Sequence, residues 1–356
     1  MPTYILIAGT RPEVIKLSPV AAALRRRGAR ADFCAVGQHG DLLTETLAAF
    51  GEVPRYTPIP FRSGRTPQEL LAEMLIALPP LLAKANPDGV IVQGDTTTAF
   101  GGALAAFYCR FPLIHIEAGL RTYDRFPFPE EAHRRMIAPL AALHLCPTDT
   151  DADTLRIERV TGRIAVTGNS GLDGLRMILA RPAPALPAVP GRLILCTIHR
   201  RENAALLPSF LAALKEIANA APDHTILFPA HPSPAPTAAV GNAHPRICIL
   251  PPLSYPVCAH LLPRLTLLLT DSGGLQEEAA FLGVPTLVLR EKSERGDAPS
   301  LRIIGSDPAK MVTEAVRLLT DEGARTAMRK SSTRYGDGHA AERMAGEILV
   351  NAPSNR

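Results

Sequence analysis

Three acidic positions in the first half of the chain have the setting that proton transfer needs. Asp95 follows an apolar run in VQGDTTTAF (Val92–Phe100). Glu117 follows another in HIEAGLRTYDRFPFPEEAHRR (His115–Arg135), and the pair Glu130 and Glu131 lies near the end of that stretch. A plain connecting loop would scatter its charges and avoid Phe126 and Phe128, and a core strand would avoid Arg121, Asp124 and Arg125. Carboxylates gathered in one place push their pKa values apart, so that one stays protonated as an acid while another serves as a base. Gly119 permits close backbone approach, Pro127 and Pro129 stiffen the loop, and Glu117 and Glu131 are expected to converge near Asp95. The plainer reading is a salt-bridge network around Arg121, Arg134 and Arg135. That network is the expectation for Glu130, and function is the expectation for Glu117. A helix N-cap explains Asp95 or Thr96 singly, but not the whole run of Asp95 and three threonines.

Other stretches suit an anion. In AGTRPEVIK (Ala8–Lys16) a strand ends, Gly9 permits a tight turn and Pro12 fits the first turn of a helix. The free N–H groups of that helix start are expected to bind an anion, helped by Arg11 and Lys16. The pattern is not GxGxxG, so no dinucleotide cofactor is inferred. In TIHRREN (Thr197–Asn203), His199 ends a strand beside Arg200 and Arg201, a setting for phosphate contact. In TDSGGLQEEAAFLGVPTLVLR (Thr270–Arg290), Ser272, Gly273 and Gly274 expose backbone N–H groups at a helix start. Glu278, one turn further on, is placed to accept hydrogen bonds from ribose hydroxyls, while Gln276 and Glu277 read as solvated surface.

The elements that must hold these residues alternate. Tyr4–Ala8, Ala31–Val36, Val90–Gln93, Leu113–Ile116 and Leu143–Pro147 read as buried parallel strands. Pro12–Arg27, Leu42–Phe50, Pro67–Ala85 and Thr97–Tyr108 read as helices between them. The pattern restarts with strands at Leu193–Thr197, Thr225–Pro229, Ile247–Leu250, Leu267–Thr270 and Thr286–Leu289. Helices are expected near Leu207–Asn219, Tyr255–Leu262, Leu275–Phe281 and Pro308–Leu319. RPAPALPAVPG (Arg181–Gly191) reads as a linker between the halves. This predicts an α/β chain of two Rossmann-like domains with a deep cleft, the ligands lying outside the carboxyl ends of the strands.

Composition narrows the function classes. The chain has 356 residues, enough for two ordinary domains, and with 46% hydrophobic and 20% charged residues it is globular and not disordered. The net charge of +4 is mild and its arginines are dispersed, which argues against a nucleic-acid partner. The six cysteines lie far apart with no CxxC, so they read as buried free thiols in a reduced, cytoplasmic setting. The N-terminus enters a strand directly with no targeting signal, and no segment is long enough to span a bilayer.

Taken together, GTRPEVIKLSPV, GQHGDLL, QGDTTTAF, HIEAGLRTYDRFPFPEEAHRRMI, VTGNSGLDGL, HRREN, DSGGLQEEAAFLGVPTLVLR and YGDGHAAERM run in order over nearly the whole chain. In this the chain resembles the non-hydrolysing UDP-N-acetylglucosamine 2-epimerase family. The resemblance implies the GT-B fold, with the active site in the interdomain cleft. It implies an N-terminal domain over 1–180, a UDP-binding domain over 191–338 and a last helix over 339–356 that crosses back. It further implies reversible epimerisation of UDP-GlcNAc to UDP-ManNAc through elimination of UDP, a 2-acetamidoglucal, and re-addition, with neither metal nor nicotinamide. Asp95, Glu117, Glu131 and His199 would then be catalytic. Arg11, Lys16, Arg121 and Arg290 would bind the UDP-sugar, Ser272, Gly273 and Gly274 would hold phosphate, and Glu278 would hold ribose.

The family also implies a cytoplasmic homodimer serving cell-surface polysaccharide synthesis. In part of the family a second substrate molecule acts as activator, here through Gln38 and His39. The chain departs from the family pattern at Gly40, where many members carry a charge, at KSERGD (Lys292–Asp297), at FPAHPSP (Phe228–Pro234) and at His133. These departures leave room for a modified UDP-sugar. The hydrolysing branch, which releases ManNAc and UDP, and a GT-B glycosyltransferase share the scaffold.

Overall fold

In the computed structural model, which describes residues 1–38, 40–124, 127–198, 200–230, 244–291 and 298–351, the apolar runs become the strands of two parallel sheets. The first contains β1 (Thr3–Ala8), β2 (Arg30–Val36), β3 (Tyr56–Ile59), β4 (Gly89–Gln93), β5 (Leu113–Ile116), β6 (Leu143–Cys146) and β7 (Arg163–Val166), in the order β3-β2-β1-β4-β5-β6-β7. The second contains β8 (Arg192–Thr197), β9 (His224–Pro229), β10 (Ile247–Leu250), β11 (Leu265–Thr270), β12 (Thr286–Val288) and β13 (Leu301–Ile303), in the order β10-β9-β8-β11-β12-β13. β4, β5 and β11 are buried along their whole length, because helices cover both faces of a parallel sheet. Each sheet reverses its strand order once, between β1 and β4 in the first and between β8 and β11 in the second. Such reversals open a crevice at the carboxyl ends of the strands.

The chain divides into two compact units. One comprises Met1–Ile178 and the residues from Tyr335 onward, the other Leu179–Arg334. In the first unit, α1 (Arg11–Arg26), α2 (Asp41–Phe50), α3 (Pro67–Ala85), α4 (Thr97–Tyr108), α5 (Glu130–Ile137), α6 (Asp149–Ile157) and α7 (Ser170–Leu179) follow the strands. Leu70, Met74, Leu78 and Leu82 recur every four residues and form the buried stripe of α3. Burying each contributes about 2 kcal/mol. α4 is built from small residues because it is squeezed on two sides. A Cβ on Gly101 would lie 2.8 Å from Met74 Sδ, and one on Gly102 would lie 3.0 Å from Ile7 Cδ1. That close seat sets the head of α4, and with it Asp95, against β1.

The second unit carries α8 (Leu207–Ala220), α9 (Tyr255–Leu261), α10 (Gly273–Leu282), α11 (Pro308–Thr320) and α12 (Glu322–Met328). After Arg334 the chain returns to the first unit as α13 (Ala340–Asn351). The Asp173 carboxylate accepts from the N–H groups of Ala340 and Ala341 at 3.1 Å each, capping the new helix, and Arg26 at the end of α1 and Arg27 just after it both hold Glu342. All six cysteines are free thiols, of which Cys34, Cys146 and Cys196 are buried.

The sequence reading missed β3, β7 and β13. All three are outer strands of three or four residues, mostly part-exposed, so they lack the continuous apolar run that marks the interior strands. It also passed over α6, α7 and α12, which are seven to ten residues long.

One glycine matters to the site. Gly119, just past β5, has φ +96, and a Cβ there would collide with the carbonyl oxygen of Asp151. Gly119→Ala is expected to destabilise the fold by about 3 kcal/mol, from the left-handed backbone together with the clash. Urea denaturation measures this, and an unchanged midpoint would refute it.

Candidate active site

The first switch point gathers two charged groups. Glu117 directly follows β5 with φ +64, a left-handed conformation that costs a glutamate about 1 kcal/mol and persists only where surrounding contacts hold it. Those contacts are visible. Lys16 reaches across from α1 to place Nζ 2.6 Å from Glu117 Oε2, and Gln93 Nε2, at the end of β4, donates to the same oxygen. Both ions are buried, so each depends on the other for solvation.

The second group centres on Arg134. Its Nε donates to Asp95 Oδ2 at 2.6 Å and its Nη1 to Glu131 Oε2 at 3.2 Å, so one guanidinium spans two carboxylates. Glu131 also accepts from the backbone N–H groups of Thr122 (3.0 Å) and Tyr123 (3.1 Å), which folds the loop back over α5. His133 Nδ1 lies 2.8 Å from the Asp95 carbonyl, and because a carbonyl only accepts, that nitrogen carries the proton. The His133 ring stacks on Phe100 of α4 at 4.9 Å. Asp95 is thus held at its carboxylate and at its carbonyl.

Beneath this layer, His115 Nε2 donates to the Gly94 carbonyl at 2.7 Å. Burial pushes its pKa down to about 4, and burial next to His115 pushes that of His144, its register partner on β6, down to about 3. Both imidazoles are therefore neutral parts of the scaffold at physiological pH.

In the second unit, Ser272 stands at the N-cap of α10 with its N–H 3.0 Å from Thr270 Oγ1, and Gly274 is exposed, with nothing within 4 Å of where a Cβ would lie. That helix start is open to solvent. Asp271, fully buried, accepts from the Arg200 N–H and from Asn203 Nδ2, each at 3.0 Å, and so ties the HRREN segment to the SGG turn. Tyr255 Oη donates to Glu278 Oε1 at 2.8 Å. Arg290 is buried just beyond β12.

The family model described as UDP-N-acetylglucosamine 2-epimerase matches residues 22–349. The chain belongs to the UDP-N-acetylglucosamine 2-epimerase family. The UDP-N-acetylglucosamine 2-epimerase of Escherichia coli K12 is 37% identical over 370 residues, covering 98% of both chains. The S. aureus MnaA–UDP co-structure superposes with a TM-score of 0.90 at 32% identity and covers 100% of each chain. UDP-GlcNAc 2-epimerase from Neisseria meningitidis bound to UDP-GlcNAc gives 0.90 at 31% identity, covering 99% of this chain and 100% of that one. This member of the epimerase family is an isomerase on the GT-B fold, and among its described residues no helix is long and apolar enough to cross a membrane.

The structure gives each described residue singled out in the sequence of this epimerase a definite setting. Among the described residues the salt-bridge network forms on Glu131 and Asp95 through Arg134, and Glu130 makes no ion pair. Lys16, expected to meet an anionic ligand, pairs with Glu117. Arg121 makes a two-pronged ion pair with Glu158 (2.9 and 2.7 Å) and donates to its neighbour's carbonyl, which makes it a brace between the loop and α6. The N–H groups of Gly9 and Thr10 are not free for an anion, because the Glu13 carboxylate takes both, at 2.9 and 2.7 Å. Arg11 opens α1 and is partly buried. Gln276 and Glu277, read as surface, are buried on the inner side of α10. Gln38 Oε1 accepts from the N–H and Oγ1 of Thr98, which ties its loop to α4. His39, His199, the Arg201 side chain, Lys292–Asp297 and most of FPAHPSP lie outside the described residues.

Sequence reasoning missed Glu13, Gln93 and Asp271 as site-building residues. Asp271 carried a usable signal, an acid directly after a fully apolar strand. Gln93 read as the end of a strand, and Glu13 was not singled out within AGTRPEVIK. A cavity of about 540 Å³ lined by Arg192, Arg264, Arg325 and Arg329 lies at the amino ends of β8 and β11, the edge opposite Ser272. Arg325 and Arg329 use it to cap the carbonyls of Leu318, Leu319 and Leu265, a scaffold role.

Proposed function

We propose that this protein interconverts UDP-GlcNAc and UDP-ManNAc by eliminating and re-adding UDP. A base removes the C2 proton, the C1–O bond breaks with its electron pair leaving on UDP, and a 2-acetamidoglucal forms. UDP then adds back at C1 while an acid protonates C2 from the other face. The observation that carries this reading is the pair of carboxylate groups at the first switch point, each with its own cation: Glu117 with Lys16, and Asp95 with Glu131 on Arg134. A reaction that takes a proton on one face and returns one on the other needs two such groups, whereas a glycosyltransferase needs at most one base. Asp95, Glu117 and Glu131 are the acid/base residues in this reading. The open SGG turn of the second unit, with Arg290, His199 and Arg11, stabilises the departing diphosphate, and Glu278 holds the ribose.

In the same reading a second UDP-GlcNAc activates the enzyme through Gln38 and His39, and the working form is a cytoplasmic homodimer supplying cell-surface polysaccharide. The deciding experiment is incubation with UDP-GlcNAc in D2O, followed by NMR and mass analysis. Deuterium at C2 with UDP-ManNAc formed is the expected result. Free ManNAc with UDP would replace this reading by the hydrolysing branch, and no turnover would point to a modified UDP-sugar.

A further inference from the structure

Glu13 occupies the third position of α1, where a capping-box glutamate commonly sits, but it does more than cap its own helix. Its Oε2 accepts from the N–H of Gly9 (2.9 Å), the N–H of Thr10 (2.7 Å) and Thr10 Oγ1 (2.8 Å). Its Oε1 accepts from Thr96 Oγ1 at 2.6 Å, and Thr96 is the N-cap of α4, its hydroxyl oxygen accepting from the Ala99 N–H at 2.9 Å. One carboxylate therefore joins the two loops that flank the β1–β4 reversal.

The chain contains a control for this arrangement. At the start of α3, Glu69 forms the same box with Thr66, yet it is exposed, and its second oxygen comes no nearer to a cation than 4.0 Å, to Arg62. A helix cap needs no burial. Glu13 is wholly buried, a position that penalises its charge, and the bond from Thr96 supplies what a local cap lacks.

We propose that Glu13 is a positioning residue for the epimerase reaction, clamping the turn after β1 to the head of α4 and so fixing Asp95, the residue before Thr96. This rests on reading Asp95 as an acid/base group. Burial, opposed by the four hydrogen bonds, raises the pKa of Glu13 to about 7. Protonation removes acceptor capacity from the clamp, because the Gly9 and Thr10 N–H groups cannot reverse their bonds. The other ionisable groups on the two segments are Arg11 and Lys16 on α1 and Asp95 before α4, and none of them is among the causes of that shift.

The test compares Glu13→Gln, Glu13→Asp and Glu69→Gln by amide hydrogen exchange and by C2 deuterium incorporation into UDP-GlcNAc. Glu13→Gln is expected to speed exchange about tenfold in both 9–14 and 95–100, while Glu69→Gln affects only the start of α3. It is also expected to lower kcat about 30-fold with KM within about threefold, and to abolish an ionisation near neutrality in the wild-type rate profile. Glu13→Asp, which keeps the charge on a shorter arm, should recover part of kcat. Exchange confined to 9–14, or a Glu13→Gln kcat within about twofold of wild type, would overturn the proposal. If the wild type turns over no UDP-GlcNAc, the reading of the reaction fails, and amide exchange in the two segments still decides the clamp.

Discussion

Asp95→Asn and Glu117→Gln are each expected to slow C2 deuterium exchange by at least about 10³-fold while the protein stays folded. The substitutions keep shape and remove the ability to carry a proton. Asp95 is the cleaner of the two: its side chain is 23% exposed, and an asparagine oxygen still accepts from Arg134 Nε, so little stability is lost. Glu117 is harder, because a glutamine there leaves the buried Lys16 ammonium without its counter-charge, and breaking such a pair costs about 3 kcal/mol. Circular dichroism and the thermal midpoint must therefore accompany the rate. Near wild-type exchange in either folded variant would move the chemistry off these residues, and with it the function proposed for the first unit.

The second large effect concerns Lys16. Had it faced the nucleotide, Lys16→Met would chiefly weaken UDP binding. Paired with Glu117 as it is, its removal is expected to leave the Kd for UDP within about threefold and to cut kcat about 100-fold or more. The sign in pH follows from the burial. Without the ammonium, the desolvated carboxylate is harder to ionise and its folded pKa rises. If Glu117 is the base, the acidic limb of the rate profile moves to higher pH in the variant, and raising the pH restores part of the lost rate. A Kd for UDP that rises tenfold with kcat untouched would return Lys16 to the diphosphate. Calorimetry with UDP and the pH–rate profile together separate the two cases.

Legibility in the sequence followed locality. VQGD, HIEAG and TDSGG each join a buried strand to a chemically capable residue within a few positions, and all three fall at strand carboxyl ends, as read. Arg134 was noticed as a cation in a network with Arg121 and Arg135, and Glu130 was the acid expected to join it. On a helix the acids three and four residues before Arg134, Glu131 and Glu130, both share its face, so the spacing left two candidates, and the structure pairs Glu131. Asp95, the other partner of Arg134, was not open to any such reading, since it depends on α5 crossing the end of β4.

What the amino-acid order determined by itself is the pair of doubly wound sheets and the presence of two carboxylates, Asp95 and Glu117, at strand ends. Strands announce themselves through continuous apolar runs, and a polar residue ending such a run must emerge at the sheet edge. What only the tertiary structure decided is who partners whom. Lys16 and Glu117 are 101 residues apart and Glu13 and Thr96 are 83 apart, and both pairs form because β4 inserts beside β1 instead of following β3. No local propensity encodes that insertion. It comes from burying whole sheet faces under helices, and the side chains at the reversal take whatever partners that packing delivers.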